Sequence, residues 1–371
     1  MKPDVIVIGA GVVGAAIAYG LAERRLRVLV LDGGESDFRA SNANFGLVWQ
    51  HGKGLDMPAY QRLTRSSVDA WREFSEELGD IAGTDLHYEQ NGGLAVCLSE
   101  TELEQRRASL MRLHNQAGGE ADWEMLDRKD LRSLMPTVPF GPEVTGASFG
   151  RRDGAANPLR LLAALRAGIV RRGGVIRGGN RVGSISRDGG AFRVMAGGER
   201  FDADRVVIAA GLGSKDIAAQ VGIHVPVRPQ RGQILVTERL APFMPLPMSG
   251  LRQTREGTVM IGATQDGDEL DNSTTSEGGA VLSSRAIRRV PALGDVILVR
   301  QWAGLRIMTP DAHPVYSESE TQPGAFVALC HSGVTLAAMH ATRLADAIAA
   351  GSLSPDFDDF HQRRFDVPQA A

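Results

Sequence analysis

The most constraining feature of this chain is a strand, three spaced glycines and a helix within its first residues. The β-branched run Val5–Ile8 predicts a buried strand, and the pattern Gly9-x-Gly11-x-x-Gly14 follows it directly. The apolar residues after the first glycines predict a helix over Val12–Glu23. This order of elements is typical of the βαβ unit that binds dinucleotides.

Each glycine of the pattern has a physical task in such a unit. Gly9 makes the tight turn, Gly11 lets the backbone approach a pyrophosphate, and Gly14 lets the helix pack on the strand. The free N–H groups at the helix N-terminus favour the phosphate charge. Asp32 ends a second predicted strand, Arg27–Leu31, and can accept a ribose hydroxyl. The pattern predicts a dinucleotide-binding site, but by itself it does not decide between NAD and FAD.

Length and composition exclude several other classes of protein. The 371 residues suffice for about two domains, and a net charge of −3 with interspersed signs disfavours a nucleic-acid surface. The uncharged stretch Val5–Ala22 is long enough for a membrane span, but its glycines favour the βαβ interpretation, so we expect a cytoplasmic protein without a transmembrane segment. Cys97 and Cys330 fit no metal or redox spacing, and the scattered histidines predict no metal site.

The alternation of strands and helices near both ends of the chain predicts an α/β fold, α+β overall. We expect a discontinuous Rossmann-like nucleotide domain with an inserted, sheet-based substrate domain. The predicted nucleotide domain comprises residues 1–50, 145–222 and 306–371. The predicted substrate domain comprises 51–144 and 223–305, where strand-like runs predominate.

Two helix boundaries rest on local sequence signals. Thr101 and Glu104 resemble a capping box at the start of a helix over Thr101–Ala117. The last helix is predicted over Val334–Ala350.

Several later segments carry a resemblance to a known family. A predicted strand ends at Gly211, and a second segment, from Cys330 to Thr335, closes a strand before the last helix. With these segments the chain resembles the glycine/D-amino-acid oxidase superfamily of FAD enzymes along its whole length. The other elements that carry the resemblance are Ser41–Gly46, Arg231-Gly232-Gln233 and Trp302–Arg306. The resemblance implies FAD as the cofactor.

Within that superfamily the chain is most similar to the β (B) subunits of heteromeric bacterial opine oxidases and D-hydroxyproline dehydrogenases. The segments concerned are Asn44–Trp49, Gly52–Leu55, Gly232–Thr237, Met260–Gly262 and His331–Leu336. The similarity implies oxidation of the CH–NH bond of D-hydroxyproline, D-proline or an opine, by hydride transfer to flavin N5. It also implies a hetero-oligomer with an α subunit that carries further redox centres.

The site residues of the family carry over position by position. Arg306 matches the arginine that grips the substrate α-carboxylate, a task for which a planar, bidentate guanidinium is suited. The positions that match the cofactor site, beside the glycines and Asp32 of the opening unit, are Ser41, Asn44, Phe45, Gly46, Val182, Gly211, His331, Gly333, Val334 and Thr335.

Three further residues are candidates because of their own chemistry. Arg252 could bind a second substrate carboxylate, as an opine requires, and Arg231 is a further candidate for substrate binding. His51 is a candidate for accepting a proton from the substrate amine, because imidazole titrates near neutral pH. The alternatives are a salt bridge for Arg306, surface arginines at 252 and 231, and an exposed loop histidine at 51.

One departure from the family bears on the electron acceptor. Relatives similar to monomeric sarcosine oxidase place a lysine over the flavin to activate oxygen, whereas the comparable position here is Met260. A neutral side chain cannot stabilise developing superoxide, so the resemblance favours electron transfer to a partner. Two alternatives remain open: a self-sufficient oxidase that uses oxygen, and a non-catalytic protein that binds flavin within a complex.

Overall fold

The structure is a computed structural model that describes residues 2–34, 40–119 and 121–366. The strands are β1 (Val5–Ile8), β2 (Val28–Leu31), β3 (Leu47–Val48), β4 (Gly93–Cys97), β5 (Trp123–Asp127), β6 (Gly146–Gly150), β7 (Gly154–Ala155), β8 (Val175–Arg177), β9 (Val182–Asp188), β10 (Ala191–Ala196), β11 (Glu199–Ala203), β12 (Arg205–Ile208), β13 (Arg228–Arg239), β14 (Leu251–Gln253), β15 (Thr258–Gly262), β16 (Leu298–Met308), β17 (Val315–Glu318) and β18 (Ala325–Leu329). The helices are α1 (Val12–Glu23), α2 (Pro58–Ala82), α3 (Glu100–Ala117), α4 (Arg128–Leu134), α5 (Pro158–Arg171), α6 (Ser214–Ala219), α7 (Ser276–Arg289), α8 (Ala337–Met339) and α9 (Ala345–Ala350).

A six-stranded sheet in the order β17-β18-β12-β1-β2-β8 forms the nucleotide half. Strands β18, β12, β1, β2 and β8 are parallel, and β17 runs antiparallel to its neighbour β18. Successive residues of β1 face opposite sides of the sheet, so Val5 and Val7 join one apolar core while Ile6 and Ile8 join another. A parallel sheet covered on both faces requires such uninterrupted apolar strands, which is why β1 carries no polar residue.

The second half is built on an antiparallel sheet in the order β14-β15-β13-β16. One of its faces packs on α7 through Leu235, Leu251, Ile261 and the helix residue Leu282. A three-stranded sheet, β4-β6-β5, lies beside it, and Leu94 forms a bridge to Met248 next to β14. The mixed α/β fold predicted from the sequence is therefore confirmed, with a largely parallel sheet and several antiparallel ones.

Two local predictions were wrong. The N-cap of α3 is Ser99, whose hydroxyl accepts from Glu102 N while the Glu102 carboxylate accepts from Leu98 N, so the capping interaction lies two residues earlier than the Thr101–Glu104 pair. The last helix begins at Ala337 rather than at Val334, and its middle, His340–Leu344, is a π-helix.

The division into two domains remains a prediction, but the sheets bear on its boundaries. Strand β6 pairs with β4 and β5, so a division by sheet would move Gly146–Gly150 out of the nucleotide half. Strand β16 continues from Leu298 to Met308 and crosses the predicted boundary at residue 306. Such boundaries depend on strand pairing between distant segments, which local sequence patterns do not report.

Candidate active site

The turn between β1 and α1 has the close contacts that its glycines predict. Gly9 has a φ of +105°, and a Cβ there would lie 2.5 Å from Ala209 O. A Cβ on Gly14 would lie 2.1 Å from Gly9 O, so the helix packs directly on the turn. Neither position accommodates a side chain, which leaves a bare backbone cradle at the N-terminus of α1.

Polar groups lie around this cradle. The α1 N-cap, Gly11, has no side chain, and Val12 N donates to Ser41 Oγ at 2.9 Å. Asp32 accepts from Ala10 N at 2.7 Å and from Gly34 N at 2.9 Å. These bonds hold the Asp32 carboxylate at the end of β2, beside the cradle.

The strand that begins at Val182, one of the predicted cofactor positions, also starts near this point. Asn180 N donates to Asp32 O at 2.8 Å, two residues before Val182, which is buried at the start of β9. Gly211 begins a short 3₁₀ turn after β12, and its nearest side-chain neighbour is Ile307 of β16. The structure thus brings Gly9, Asp32 and Val182 to one edge of the parallel sheet.

The segment His331–Thr335 lies against the residues that follow the loop Ser41–Gly46, which by the family resemblance is the predicted flavin loop. Trp49 N donates to Thr335 Oγ1 at 3.1 Å, and this hydroxyl donates to Leu47 O at 3.3 Å. Trp71 Nε1 donates to the carbonyls of Val334 and Thr335 at 3.2 and 3.0 Å. These bonds connect the end of β18 with β3, which directly follows the loop containing Asn44, Phe45 and Gly46.

The same segment reaches the N-terminal unit from the other side. A Cβ on Gly333 would lie 3.1 Å from Val13 Cγ2, so the segment passes close to the first turn of α1. In the loop itself, Gly46 N donates to Asn44 Oδ1 at 2.7 Å. The predicted cofactor residues of the loop, the last segment and α1 are therefore contiguous.

One face of the four-stranded sheet points toward this loop. Directly opposed residues of neighbouring strands share a face, and the register joins Arg252 to Met260, Gly262 to Ile234, and Gly304 to Gly232. The alternation of side chains along β16 adds Trp302 and Arg306 to that face. Here we call it the arginine face; its residues are Arg252, Met260, Gly262, Gly232, Ile234, Trp302, Gly304 and Arg306.

Contacts with the loop confirm which way the arginine face points. A Cβ on Gly304 would lie 2.4 Å from Ala43 Cβ, and Trp302 Nε1 donates to Ala43 O at 3.4 Å. The Arg252 guanidinium lies 6.0 Å from the centre of the Phe45 ring. The arginine face therefore packs against the loop.

Arg306 is largely buried and has no carboxylate partner in the part of the chain that the structure describes. Its hydrogen bond to another described residue is a long contact of 3.5 Å from Nη1 to Arg231 O. The guanidinium lies over Gly232, where a Cβ would come within 2.6 Å of it. Burial lowers the pKa of Arg306, and a buried cation without a counterion is costly unless a ligand supplies the negative charge.

Arg252 is the second buried cation of this face. It is only 8% exposed, which contradicts the alternative of a surface arginine. Its guanidinium donates to Ala156 O at 3.3 Å and to Met260 Sδ at 3.1 Å, while Nε finds no partner among the described residues. Burial lowers the pKa of Arg252 to about 10, which leaves the group charged at neutral pH. Among residues 2–34, 40–119 and 121–366 it forms no ion pair.

Arg231 differs from both, because its charge is already balanced. It lies on the opposite face of the sheet, opposed to Leu305, and forms ion pairs with Asp266 at 3.3 Å and Asp271 at 2.5 Å. It lines a groove of about 660 Å³ beside α7. This geometry supports a structural role, and a role in substrate binding stays a prediction.

His51 is buried, so the alternative of an exposed loop histidine was wrong. Its Nδ1 lies 3.3 Å from Asp153 Oδ2, and neither ring nitrogen has a well-directed hydrogen bond to a described residue. Burial lowers the pKa of His51 and raises the pKa of Asp153, so it opposes the charged form of each group. The other Asp153 oxygen accepts from Gln50 N and His51 N and anchors this loop.

The proximity of three glycines escaped the sequence reasoning, whereas Lys53 lies in the segment Gly52–Leu55, which already carried the resemblance. The three glycines of the arginine face are spread over β13, β15 and β16, and only strand register shows that they adjoin. Lys53 donates to Ser332 Oγ at 2.7 Å and lies 3.3 Å from His331 Nε2. The described residues contain no group of three or more His, Cys, Asp or Glu that could hold a metal, and none of their helices is long and apolar enough to span a membrane.

The residues fit a dinucleotide cofactor such as FAD. The bare cradle and the N-cap of α1, which has no side chain, suit a pyrophosphate, and Asp32 suits a ribose. The cations Arg252 and Arg306 lie on the arginine face, which packs against the loop, and an organic anion would balance them.

Comparisons with known proteins agree with this geometry. The family model described as "DAO: FAD dependent oxidoreductase" matches residues 4–347. The chain is 43% identical over 370 residues to the B subunit of opine oxidase from Agrobacterium tumefaciens (strain Ach5), and the match covers 99% of each chain. It is 41% identical over 368 residues to the corresponding opine oxidase protein of Rhizobium meliloti, again over 99% of each. The crystal structure of glycine oxidase from Geobacillus kaustophilus superposes with a TM-score of 0.90 at 25% identity, covering 98% of this chain and 99% of that one.

Proposed function

This chain belongs to the DAO family of FAD-dependent oxidoreductases, and we propose that it oxidises the CH–NH bond of an opine. An opine is a secondary amine flanked by two carboxylate-bearing carbons. The family match and the opine oxidase relatives support an enzyme that binds FAD and acts on an amino acid. The opine as substrate, and the acceptor of the electrons, are our inference.

The observation that carries the proposal is a pair of arginines on one face, Arg252 buried and Arg306 partly buried, neither of which forms an ion pair with a described residue. Arg306 and Arg252 share the arginine face, and no ion pair with a described residue neutralises either of them. A substrate with one carboxylate would leave the second charge uncompensated in the closed site. Two carboxylates on one small molecule would satisfy both, which favours an opine over D-proline or D-hydroxyproline.

The roles of the residues follow from this arrangement. Arg306 binds the α-carboxylate through its planar guanidinium, and Gly232 leaves the space in which that group lies flat. Arg252 binds the second carboxylate. Binding at two points fixes the secondary amine between them, so that much of the rate enhancement comes from orientation.

Bound FAD would accept the hydride that leaves the substrate α-carbon, and water would hydrolyse the imine product. The protein must exclude bulk water and favour the neutral amine. The glycines and apolar residues of the arginine face serve the first task, since they carry no polar side chain. His51 remains a candidate for the second, because burial lowers its pKa and favours the neutral imidazole that can accept a proton.

We further infer that the chain works in a hetero-oligomer and passes its electrons to a different protein chain that carries further redox centres. Support comes from the two opine oxidase relatives, whose names identify them as B subunits and which match this chain over nearly its full length. Met260, rather than a lysine, also lies on the arginine face and contacts Arg252. The similarity to glycine oxidase keeps direct use of oxygen as the competing candidate.

The substrate is tested by anaerobic reduction of the FAD-loaded protein with a panel of secondary amines. We expect octopine or nopaline to bleach the flavin at lower concentration than D-proline or D-hydroxyproline, which carry one carboxylate. A monocarboxylate that reduces the flavin as readily as every opine would refute the opine assignment. Failure of all N-substituted and D-amino acids would refute amine oxidation.

The electron acceptor is tested separately with an oxygen electrode. We expect the chain alone, reduced by its substrate, to consume oxygen slowly, and artificial acceptors to restore turnover. Rapid peroxide production by this chain alone would identify a self-sufficient oxidase instead.

A further inference from the structure

Lysine is rare in this chain, and one lysine lies inside it. Of the 41 basic residues, four are lysines: Lys2, Lys53, Lys129 and Lys215. Three of these are exposed, whereas the Lys53 ammonium group points inward. Arginine stays charged in any protein environment, while a buried lysine can adjust its protonation. The chain thus uses lysine at an interior position although it uses arginine for nearly every other cation.

The Lys53 ammonium group is held by the segment that follows β18. Lys53 Nζ donates to Ser332 Oγ at 2.7 Å, and Tyr60 OH donates to the same oxygen at 2.8 Å. Lys53 Nζ also lies 3.3 Å from His331 Nε2. None of the ion pairs in the described part of the chain includes Lys53, so its charge is not neutralised locally.

The neighbouring imidazole is prepared to accept from this ammonium group. Burial lowers the pKa of His331 well below its ordinary value, and the charges of Lys53 and Arg306 lower it further. His331 is therefore neutral, and as the partner of a cation it accepts at Nε2 and carries its proton on Nδ1. Burial lowers the pKa of Lys53 to about 8, so Lys53 keeps most of its charge at neutral pH.

We propose that Lys53 is a positioning residue of the cofactor site, which acts through Ser332 and His331 to hold a positive charge beside the His331–Thr335 segment and so favours the reduced form of FAD. Reduction adds negative charge to the flavin, and a fixed positive charge in a site of low dielectric stabilises that state. The inference rests on FAD binding and not on the identity of the substrate.

The location of the segment supports a role toward the cofactor. Thr335 bonds to Leu47 and Trp49 next to the predicted flavin loop, and Gly333 packs on Val13 at the first turn of α1. Lys53 contacts His331 and Ser332, which lie in sequence between the end of β18 and these two contacts. A buried charge without a carboxylate partner costs free energy, so packing alone would not account for a lysine at this position.

The test compares the midpoint potential of bound FAD in four variants of the full-length, FAD-loaded protein. Lys53→Met and Lys53→Gln remove the charge and keep much of the length, and Lys53→Arg keeps the charge. Lys129→Met, on the exposed surface of α4, is the matched control. We expect a lower midpoint potential in both neutral variants, a potential near that of the parent in Lys53→Arg, and no change in the control.

Each result decides for or against the proposal. A parental potential in the neutral variants, or equal shifts in all three Lys53 variants, would overturn it, because either result means that the charge is not what acts. If the neutral variants bind no FAD, retention of FAD by Lys53→Arg supports the proposal, and its loss contradicts it. Since no substrate enters these measurements, a wrong opine assignment leaves the outcome unaffected.

Discussion

The two faces of the four-stranded sheet use the same strands in opposite ways. On the face toward α7, Leu235, Leu251 and Ile261 form an apolar core, and at its margin Arg231 is balanced by two aspartates. On the arginine face, Arg252 is buried and Arg306 is partly buried, and neither has a carboxylate partner among the described residues. The first face satisfies its own charges, whereas the charges of the second find no counterion among the described residues and would be balanced by a ligand.

This difference teaches how a ligand site is recognised in a chain rich in arginine. Ion pairs occupy many of the exposed arginines, such as Arg288 with Glu143 and Arg343 with Asp356. Such exposed pairs contribute little and mark no function. Burial combined with the absence of a counterion among the described residues separates Arg306 and Arg252 from them, and this combination is visible only in three dimensions.

Among the variants that test the difference between the two faces, Arg306→Lys is expected to have the largest effect. Hydrogen bonds to charged groups contribute about 1.5–3 kcal/mol each, and lysine cannot make the two parallel bonds of a guanidinium. A total loss of about 3–4 kcal/mol should therefore lower kcat/KM for the opine by about 10²–10³-fold. Steady-state kinetics with a parallel measurement of FAD content check this expectation. Unchanged turnover with full FAD occupancy would mean that the substrate carboxylate binds elsewhere.

The next effect tests the opposite face through stability. Leu251 is fully buried against α7, and Leu251→Ala should lower the free energy of unfolding by about 2–5 kcal/mol, through lost apolar burial and the cavity left behind. Urea denaturation measures it. A loss well below about 2 kcal/mol would show that this core relaxes around the cavity.

Arg252 follows Leu251 in β14 but points to the arginine face, and Arg252→Met tests its role there. Loss of one carboxylate contact should lower kcat/KM for the opine by about 10–100-fold, while D-proline, with a single carboxylate, should be affected little. Stability should not fall, because removing an unpaired buried charge relieves its desolvation cost. An equal loss for both substrates would contradict a role in binding the second carboxylate.

The smallest effect is expected from Arg231→Met. Its ion pairs with Asp266 and Asp271 lie at the margin of the sheet, so the free energy of unfolding should change by about 1 kcal/mol or less. We expect kcat/KM to stay near the parental value. A loss comparable to that of Arg306→Lys would make Arg231 a substrate-binding residue and would remove the contrast between the faces.

Much of the nucleotide half could be predicted from the sequence. The strand Val5–Ile8, the spaced glycines and Asp32 are neighbours along the chain, so their pattern reports their local structure directly. The start of α5 was likewise marked by adjacent residues, because Asn157 is its N-cap and Pro158 occupies its first turn. The start of the last helix was not, because Val334 and Thr335 are held in a turn by Trp71 and Leu47, which are distant in sequence.

The sequence by itself determined the βαβ unit, the dinucleotide and, through resemblance, FAD and the position of Arg306. Those conclusions rest on residues close together in the chain. Only the tertiary structure decided that Arg252 is buried on the same face as Arg306, that Arg231 lies on the opposite face with its charge satisfied, and that His51 is enclosed beside Asp153. Burial and counterions depend on which distant segments pack together, and strand register, rather than local composition, sets that packing.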